Sequence, residues 1–257
     1  MGSKLKFNKN ILITIGIVIM IMVSLVFIVS NKKNSLYGIG IIVVLFDIVL
    51  IVFCTSISNK ITLVKTLDNK LYSKKYYLIN SIYMIIGYIL MKCVFINVLN
   101  VCIHISTINK FESSFITRYL SEGGFLGILI IFTQIVIIGP IVEELLFRGV
   151  LLKWLLNKYE NRHLKAIIYS SAIFAFMHFN LVQGITAFGG AIILGLIYYY
   201  TKSIKLCIIG HFINNFLVIM PIPEGIVLNI VYLIVGSYLI NRGISNIRIR
   251  KNIELIS

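Results

Sequence analysis

Six polar or charged residues in the second half of the chain are candidates for acid–base chemistry. They lie in three short strings, "EELLFR" at 143–148, "FAFMH" at 174–178 and "HFINN" at 211–215. Carboxylates and imidazoles can move protons, and imidazole and amide N–H groups can stabilise an oxyanion. Each string is embedded in apolar sequence, where an ionisable side chain is costly unless it is paired or hydrated. The candidate site residues are therefore Glu143, Glu144, Arg148, His178, His211 and Asn215.

Helical spacing separates the two adjacent glutamates. Glu144 and Arg148 are four residues apart, so in a helix they lie ~40° apart on one face. Glu143 is about 140° from Arg148 and points elsewhere. We therefore expect Arg148 to hold Glu144 as a carboxylate, which leaves Glu143 to face a cavity as a general base. The alternative is a structural ion pair with Glu143 as a spectator.

His211 and Asn215 are also four residues apart, so both can donate hydrogen bonds toward one point, as an oxyanion-stabilising pair does. A single histidine such as His178 is more often a packed core residue, and the joint occurrence makes it a candidate. Glu143 reaches the depth of His178 only if its helix continues past Phe147. We therefore predict one long helix, bent at Pro140, that extends to about Asn157.

The composition predicts an all-α polytopic membrane protein with its active site inside the helix bundle. Of the 257 residues, 59% are hydrophobic and 13% are charged, which is outside the range of soluble domains. Stretches of about 20 apolar residues mark membrane helices. We predict about eight spans, in a single membrane domain over 1–257: 11–30, 37–57, 77–106, 123–147 or beyond, 165–181, 185–200, 205–221 and 225–240.

The net charge of +15 is distributed as in a membrane protein. If the amino terminus is cytoplasmic, 19 of the 24 Lys and Arg residues fall in cytoplasmic segments, which follows the positive-inside rule. We therefore expect both termini in the cytoplasm, contact with membrane lipid and no nucleic-acid partner. The first three spans carry Asp47, Lys92 and His104, which we interpret as packed or snorkelling side chains. The four cysteines lie in or at the ends of spans, and we expect no disulfides.

The three strings resemble the motifs of a known family. "EELLFR" matches EExxxR, "FAFMH" matches FxxxH and "HFINN" matches HxxxN of the CAAX-protease and bacteriocin-processing family (Abi proteins), which are intramembrane glutamic endopeptidases. The resemblance covers about 140–216, within a core of about 123–221. The preceding residues 1–122, with three predicted helices, carry nothing diagnostic.

The resemblance implies a role for each residue. Glu143 would activate the attacking water, with His178 helping to position it, and His211 and Asn215 would stabilise the tetrahedral intermediate. Glu144 and Arg148 would support the motif helix, and Phe174 would pack against the site. It implies no cofactor or metal. The expected substrate is a peptide or protein, such as a bacteriocin or pheromone precursor, met at a bacterial plasma membrane.

Two alternatives stay open. His178, His211 and Glu143 form an acceptable ligand set for a catalytic zinc ion, although nothing in their spacing requires a metal. The chain could also be a non-catalytic immunity or scaffold protein in which the motifs hold a bundle together. The sequence predicts neither the cleavage sequence nor the oligomeric state.

Overall fold

The described part of the chain is entirely helical. The computed structural model describes residues 36–63, 74–102, 124–160, 162–179, 181–218, 223 and 225–254. Five helices there are long and apolar enough to cross a membrane, and two are shorter and apolar. The predicted all-α polytopic fold is thus confirmed. The helices are α1 Leu36–Lys60, α2 Lys74–Cys102, α3 Gly124–Lys158, α4 His163–Phe176, α5 Leu181–Thr201, α6 Ile204–Val218 and α7 Ile226–Glu254.

Two predicted spans have different ends in the structure. The span predicted at 165–181 ends at Phe176, because the chain turns at Met177 and His178 and Phe179 has a left-handed backbone (φ 50°). The span predicted at 225–240 continues to Glu254, since the loss of apolar residues after 240 marks the end of the apolar stretch rather than of the helix. The span predicted at 11–30 and His104 lie outside the described residues.

The long fourth span is confirmed, with an irregularity that was not predicted. α3 runs from Gly124 to Lys158 and contains two π-helical stretches, Thr133–Ile138 and Leu145–Leu152. Pro140 lies directly between them, buried, at the start of the short α-helical segment that carries the glutamates. Proline has no N–H and clashes with the preceding turn, and π-helical turns are frequent at functional sites.

α2 and α7 pack antiparallel along a seam, defined here as their contacts from Tyr76 and Asn246 at one end to Asn97 and Asn229 at the other. Their backbones approach so closely that a Cβ at Gly236 would lie 2.8 Å from the carbonyl oxygen of Gly87. Small residues at such crossings let membrane helices make dense van der Waals contact.

The main apolar core lies where α2, α3, α4, α5 and α6 meet. Fully buried side chains from these helices fill it, including Met84, Leu152, Ile167, Ile197 and Cys207. The cysteines Cys54, Cys93 and Cys207 are free thiols, and Cys54 and Cys207 are buried. This packing fixes α3, α4 and α6, the three helices that lead to the candidate site residues.

Candidate active site

Glu144 is the fixed point of the site. It has no exposed surface, and its Oε1 accepts hydrogen bonds from Arg148 Nη1 and His211 Nδ1, each at 2.8 Å. Arg148 is 2% exposed and also donates from Nη2 to the carbonyl oxygen of Ala191 at 3.3 Å. The predicted pairing of Glu144 with Arg148 is therefore present, and it bridges α3 to α5 and α6. A buried pair of this kind is strongly destabilised when one partner is removed.

Glu143 has a different environment from its neighbour. Its side chain is 38% exposed and its Oε2 lies 3.5 Å from His211 Nε2. Oε2 itself is buried and no donor within the described part of the chain reaches it at hydrogen-bond distance, so the exposed surface belongs to the rest of the side chain. A carboxylate oxygen with no fixed donor can accept a proton or a hydrogen bond from another molecule. Glu144 Oε2 also has no donor among the described residues, so the two glutamates differ in exposure and in the two hydrogen bonds that hold Glu144 Oε1.

His211 connects the two glutamates. Its Nδ1 faces Glu144 at 2.8 Å and its Nε2 faces Glu143 at 3.5 Å. Because Glu144 is already an acceptor for Arg148, we assign the Nδ1 proton to His211, with Nδ1–H donating to Glu144. A buried carboxylate fixes the ring orientation and tautomer of the catalytic histidine in Ser-His-Asp triads in the same way. Nε2 is consequently the ring nitrogen that faces the carboxylate of Glu143.

Phe174 brings the second histidine to the same place. Its ring makes edge contacts with the imidazoles of His178, at 4.9 Å between ring centroids, and of His211, at 5.9 Å. The guanidinium carbon of Arg148 lies 5.1 Å from its centroid, within cation–π range. One aromatic ring therefore packs against three of the predicted site residues, although it was predicted only to pack beside the site.

His178 lies in the turn after α4 rather than inside a helix. Its Nδ1 is 3.0 Å from the carbonyl oxygen of Phe174. A carbonyl only accepts, so Nδ1 carries a proton, and in the neutral ring Nε2 keeps its lone pair. α4 has 14 residues and spans about 21 Å. His178 therefore lies at the opposite end of α4 from the α3–α4 connection.

Asn215 is bound to the irregular part of α3. Its Nδ2 donates to the carbonyl oxygen of Ile135 at 3.0 Å. That carbonyl has lost both helical partners, because the N–H of Gly139 bonds to Gln134 instead and Pro140 has no N–H. Asn215 therefore compensates for the π-helical turn. Its predicted action beside His211 on a common oxyanion stays a prediction, and the second hydrogen on Nδ2 is available for it.

Four polar residues near the site were not predicted to belong to it. Lys92 Nζ donates to Asn214 Oδ1 at 3.0 Å, and Asn214 Nδ2 donates to Asn215 Oδ1 at 2.9 Å. Gln134 Nε2 donates to Asp47, a buried carboxylate on α1, at 2.5 Å. The sequence predicts Lys92 and Asp47 only as packed or snorkelling side chains. The available signal was their charge inside an apolar helix, but no motif contains them.

The arrangement suits proton transfer and the binding of a negatively charged intermediate. It holds one partly exposed carboxylate, two imidazoles of assignable tautomer and an amide donor next to a buried ion pair. Among the described residues, no three His, Cys, Asp or Glu side chains are grouped so that they could hold a metal ion.

Comparison with known proteins confirms the resemblance that the three motifs indicated. Residues 125–217 match the family described as type II CAAX prenyl endopeptidase Rce1-like. This segment contains all seven predicted site residues, whereas Lys92 and Asp47 precede it. The chain is also similar to a membrane-embedded CAAX protease of Staphylococcus aureus (strain USA300), MroQ, with 36% identity over 97 residues. The similarity covers 35% of this chain and 39% of that relative. No solved structure matches the chain.

Proposed function

We propose, on the premise of this family match, that the chain is an intramembrane endopeptidase in which Glu143 activates the attacking water. The observation that carries the proposal is the contrast between the two glutamates. Glu144 has no exposed surface and its Oε1 accepts two hydrogen bonds, from Arg148 and His211, whereas the side chain of Glu143 is 38% exposed and its contact with His211 Nε2 is longer, at 3.5 Å. A general base must be accessible to the water and within reach of the proton that it accepts, and the partly exposed glutamate meets this condition better than the fully buried one.

In the first step, one hydrogen of the water is accepted by Glu143 and the other by Nε2 of His178. The water oxygen then forms a bond to the scissile carbonyl carbon while its proton moves to Glu143. The electrons of the carbonyl double bond move to the carbonyl oxygen and produce a tetrahedral oxyanion. His178 is suited to hold the water, because its Nδ1 proton is directed to the Phe174 carbonyl and its other nitrogen can accept.

In the second step, the oxyanion is stabilised by the second N–H of Asn215 and by Nε2–H of His211, which requires that this ring is doubly protonated before the water adds, with Nδ1–H still on Glu144. The carbon–nitrogen bond breaks, the carbonyl forms again, and Glu143 returns its proton to the leaving amine. Removing one donor of an oxyanion site costs about 100-fold to 1,000-fold in rate. Arg148 and Glu144 take no part in the proton transfers and keep the imidazole of His211 in place.

The substrate class that we propose is a peptide or protein segment associated with the membrane. The match to a prenyl endopeptidase family and the apolar helices around the site favour a substrate that reaches the site from the lipid phase. With the predicted orientation, the cytoplasmic leaflet is the side of entry, and a bacteriocin or pheromone precursor is a substrate of suitable chemistry.

The test is cleavage by the purified protein in detergent. Wild type, Glu143→Gln and Glu160→Gln are incubated with a quenched-fluorescent library of leader-type peptides, with and without a chelator. Glutamine keeps the shape of Glu143 but cannot accept the proton, so we expect the rate to fall by at least about 100-fold. Glu160, an exposed glutamate in the turn after α3, provides the same substitution away from the site and should cleave normally.

Each other outcome points to a defined alternative. A Glu143→Gln protein that cleaves as well as wild type would disprove the assignment of the general base. Cleavage that stops with the chelator and returns with zinc would transfer the reaction to a metal hydrolase. A folded wild type that cleaves no peptide, while its expression still protects cells from a bacteriocin, would support the immunity alternative.

A further inference from the structure

A chain of side-chain hydrogen bonds connects α2 to the irregular turn of α3 through α6. It runs from Lys92 Nζ to Asn214, from Asn214 to Asn215 and from Asn215 to the carbonyl oxygen of Ile135, at 3.0, 2.9 and 3.0 Å. Lys92 lies outside the segment that matches the family, which begins at residue 125. These hydrogen bonds therefore link a lysine that precedes the matched segment to a predicted oxyanion donor.

The groups at the two ends of this series of hydrogen bonds allow only one donor-to-acceptor direction along it. An ammonium group only donates, so Asn214 must present its oxygen to Lys92 and its amide nitrogen to Asn215. The Ile135 carbonyl only accepts, so Asn215 must present its nitrogen there and its oxygen to Asn214. Both amides are fixed in the orientation that leaves one N–H of Asn215 unused. Without Lys92, Asn214 can turn over and place its oxygen against the oxygen of Asn215.

A structural contact alone does not require a charge at this position. A few residues further along α2, Asn97 donates to Asn229 on α7 at 2.7 Å, and this neutral pair joins two helices without any ionised group. Lys92 instead contacts a neutral amide, and within the described residues it has no carboxylate partner. A cation in an apolar helix is costly. Its charge polarises the two amides in series, which makes the last N–H a stronger donor.

We infer that Lys92 is a positioning residue for the oxyanion site, acting through Asn214 on the amide of Asn215. This inference rests on the proposed function, in which Asn215 contacts the tetrahedral intermediate. Lys92 does not touch the reacting atoms. Its contribution grows as negative charge develops on the substrate oxygen, so its loss should lower kcat and leave KM nearly unchanged.

The experiment compares three variants with one matched control, using a peptide that wild type cleaves. Lys92→Met should lower kcat by roughly tenfold or more with KM within about twofold, less than the loss of an oxyanion donor itself. Lys92→Arg, which also only donates, should keep kcat within about threefold of wild type. Asn97→Leu removes a buried polar contact from the same helix and should leave kcat unchanged.

Asn214→Asp separates positioning from simple adhesion between helices. The aspartate binds Lys92 at least as well as the asparagine does, since the contact becomes an ion pair, but a carboxylate cannot donate to Asn215. Positioning predicts a loss of kcat of roughly tenfold at unchanged or higher thermal stability, because the oxyanion donor is no longer oriented. A fully active Asn214→Asp protein would overturn the inference, as would Lys92→Met with wild-type kcat. The Asn214→Asp test remains valid even if the Lys92→Met protein is poorly folded.

A second measurement keeps this inference separate from the proposed function. In protein labelled with ¹⁵N-asparagine, the side-chain amide signals of Asn214 and Asn215 are assigned by their loss in the corresponding aspartate variants. Both should shift in Lys92→Met and stay in place in Lys92→Arg, whether or not a substrate is known. Unmoved signals in Lys92→Met would disprove the positioning. An active Glu143→Gln protein would disprove only the proposed function.

Discussion

Two regions of this molecule bury polar groups among apolar helices, and they do so in different ways. Along the seam between α2 and α7, neutral amides bind each other, as Asn97 binds Asn229 and Asn246 donates to Asn80. In the site, the buried groups carry charge, as in the Glu144–Arg148 pair. The seam residues hold two helices together at low cost. The site residues are costly to bury, and in the proposed reaction their charge has a use.

The two regions also differ in how closely their groups pack and in which polar atoms have no hydrogen-bond donor. At the seam, close contact is achieved by glycine, and Gly236 approaches the backbone of α2 directly. In the site, both glutamates keep an Oε2 that no described donor reaches, and of the two only Glu143 is partly exposed. Substitutions at the seam should therefore change stability and spare the chemistry of the folded protein. Substitutions in the site should affect chemistry, stability or both, according to the contacts of each residue.

The largest effect on stability is expected from Arg148→Met. Removing the guanidinium leaves Glu144 buried without its counter-charge and the Ala191 carbonyl without this donor. The free energy of unfolding should fall by about 3–5 kcal/mol, as measured by reversible unfolding in mixed detergent. Arg242→Met is the control, because Arg242 is exposed on α7 and contacts Tyr238. Equal stability of the two variants would show that the buried pair is not the fixed point of the site.

The next effect is expected at the seam, from Gly236→Ala. A Cβ there would lie 2.8 Å from the Gly87 carbonyl oxygen and 3.1 Å from Met91 Cγ, so the helices must separate. Overpacking of this kind costs about 1–3 kcal/mol, measured as a lower free energy of unfolding. The kcat of the folded protein should not change. Ser237→Ala, at the exposed neighbouring residue, should have a stability close to that of wild type. A Gly236→Ala protein with normal stability but low kcat would contradict the expectation that seam substitutions change stability and spare the chemistry.

A smaller effect, on rate, is expected from Phe174→Leu. The ring packs against both imidazoles, and leucine fills part of its volume without holding either of them in orientation. We expect kcat to fall by roughly tenfold, since misplacement of catalytic groups is costly even when the fold is kept. Phe176→Leu is the matched control, two residues further along α4 at 74% exposure. If both variants cleave equally well, Phe174 does not orient the histidines.

The smallest effect is expected from the double substitution Asn97→Leu with Asn229→Leu. Asn229→Leu leaves the buried Asn97 amide without its partner and should cost about 1–3 kcal/mol, and Asn97→Leu, which leaves the half-buried Asn229 amide, should cost less. Replacing both partners by apolar groups should be nearly neutral. A double-mutant cycle on unfolding free energy measures this difference. A double variant that loses activity at normal stability would show that the seam contributes to catalysis after all.

Short-range geometry was predictable from the sequence, and long-range contacts were not. The pairing of Glu144 with Arg148 follows from the helical period, and the extension of α3 past Phe147 follows from the depth that Glu143 must reach. Sequence spacing placed His211 with Asn215 because they share a face. That His211 lies between the two glutamates depends on how α6 packs against α3, which no local pattern encodes.

The π-helical turn and the contacts of the residues around it could not be predicted from the sequence either. Pro140 predicts a bend but not a π-helical turn, and only that turn leaves the Ile135 carbonyl to be bound by Asn215. Lys92 and Asp47 are single charges in otherwise plain apolar helices, so spacing offered nothing to connect them with a site. Their partners, Asn214 and Gln134, became recognisable only in three dimensions.

The two adjacent glutamates have different roles in the proposed mechanism, Glu143 as the general base and Glu144 as the structural partner of Arg148. One pair of variants tests this difference most directly. Glu143→Gln and Glu144→Gln are purified side by side, and the thermal midpoint of unfolding and the kcat for one cleaved peptide are measured for each. We predict that Glu143→Gln keeps the wild-type midpoint and loses at least about 100-fold in kcat. Glu144→Gln should unfold at a clearly lower temperature, because Arg148 loses its counter-charge. A Glu143→Gln protein that cleaves at the wild-type rate would contradict the account.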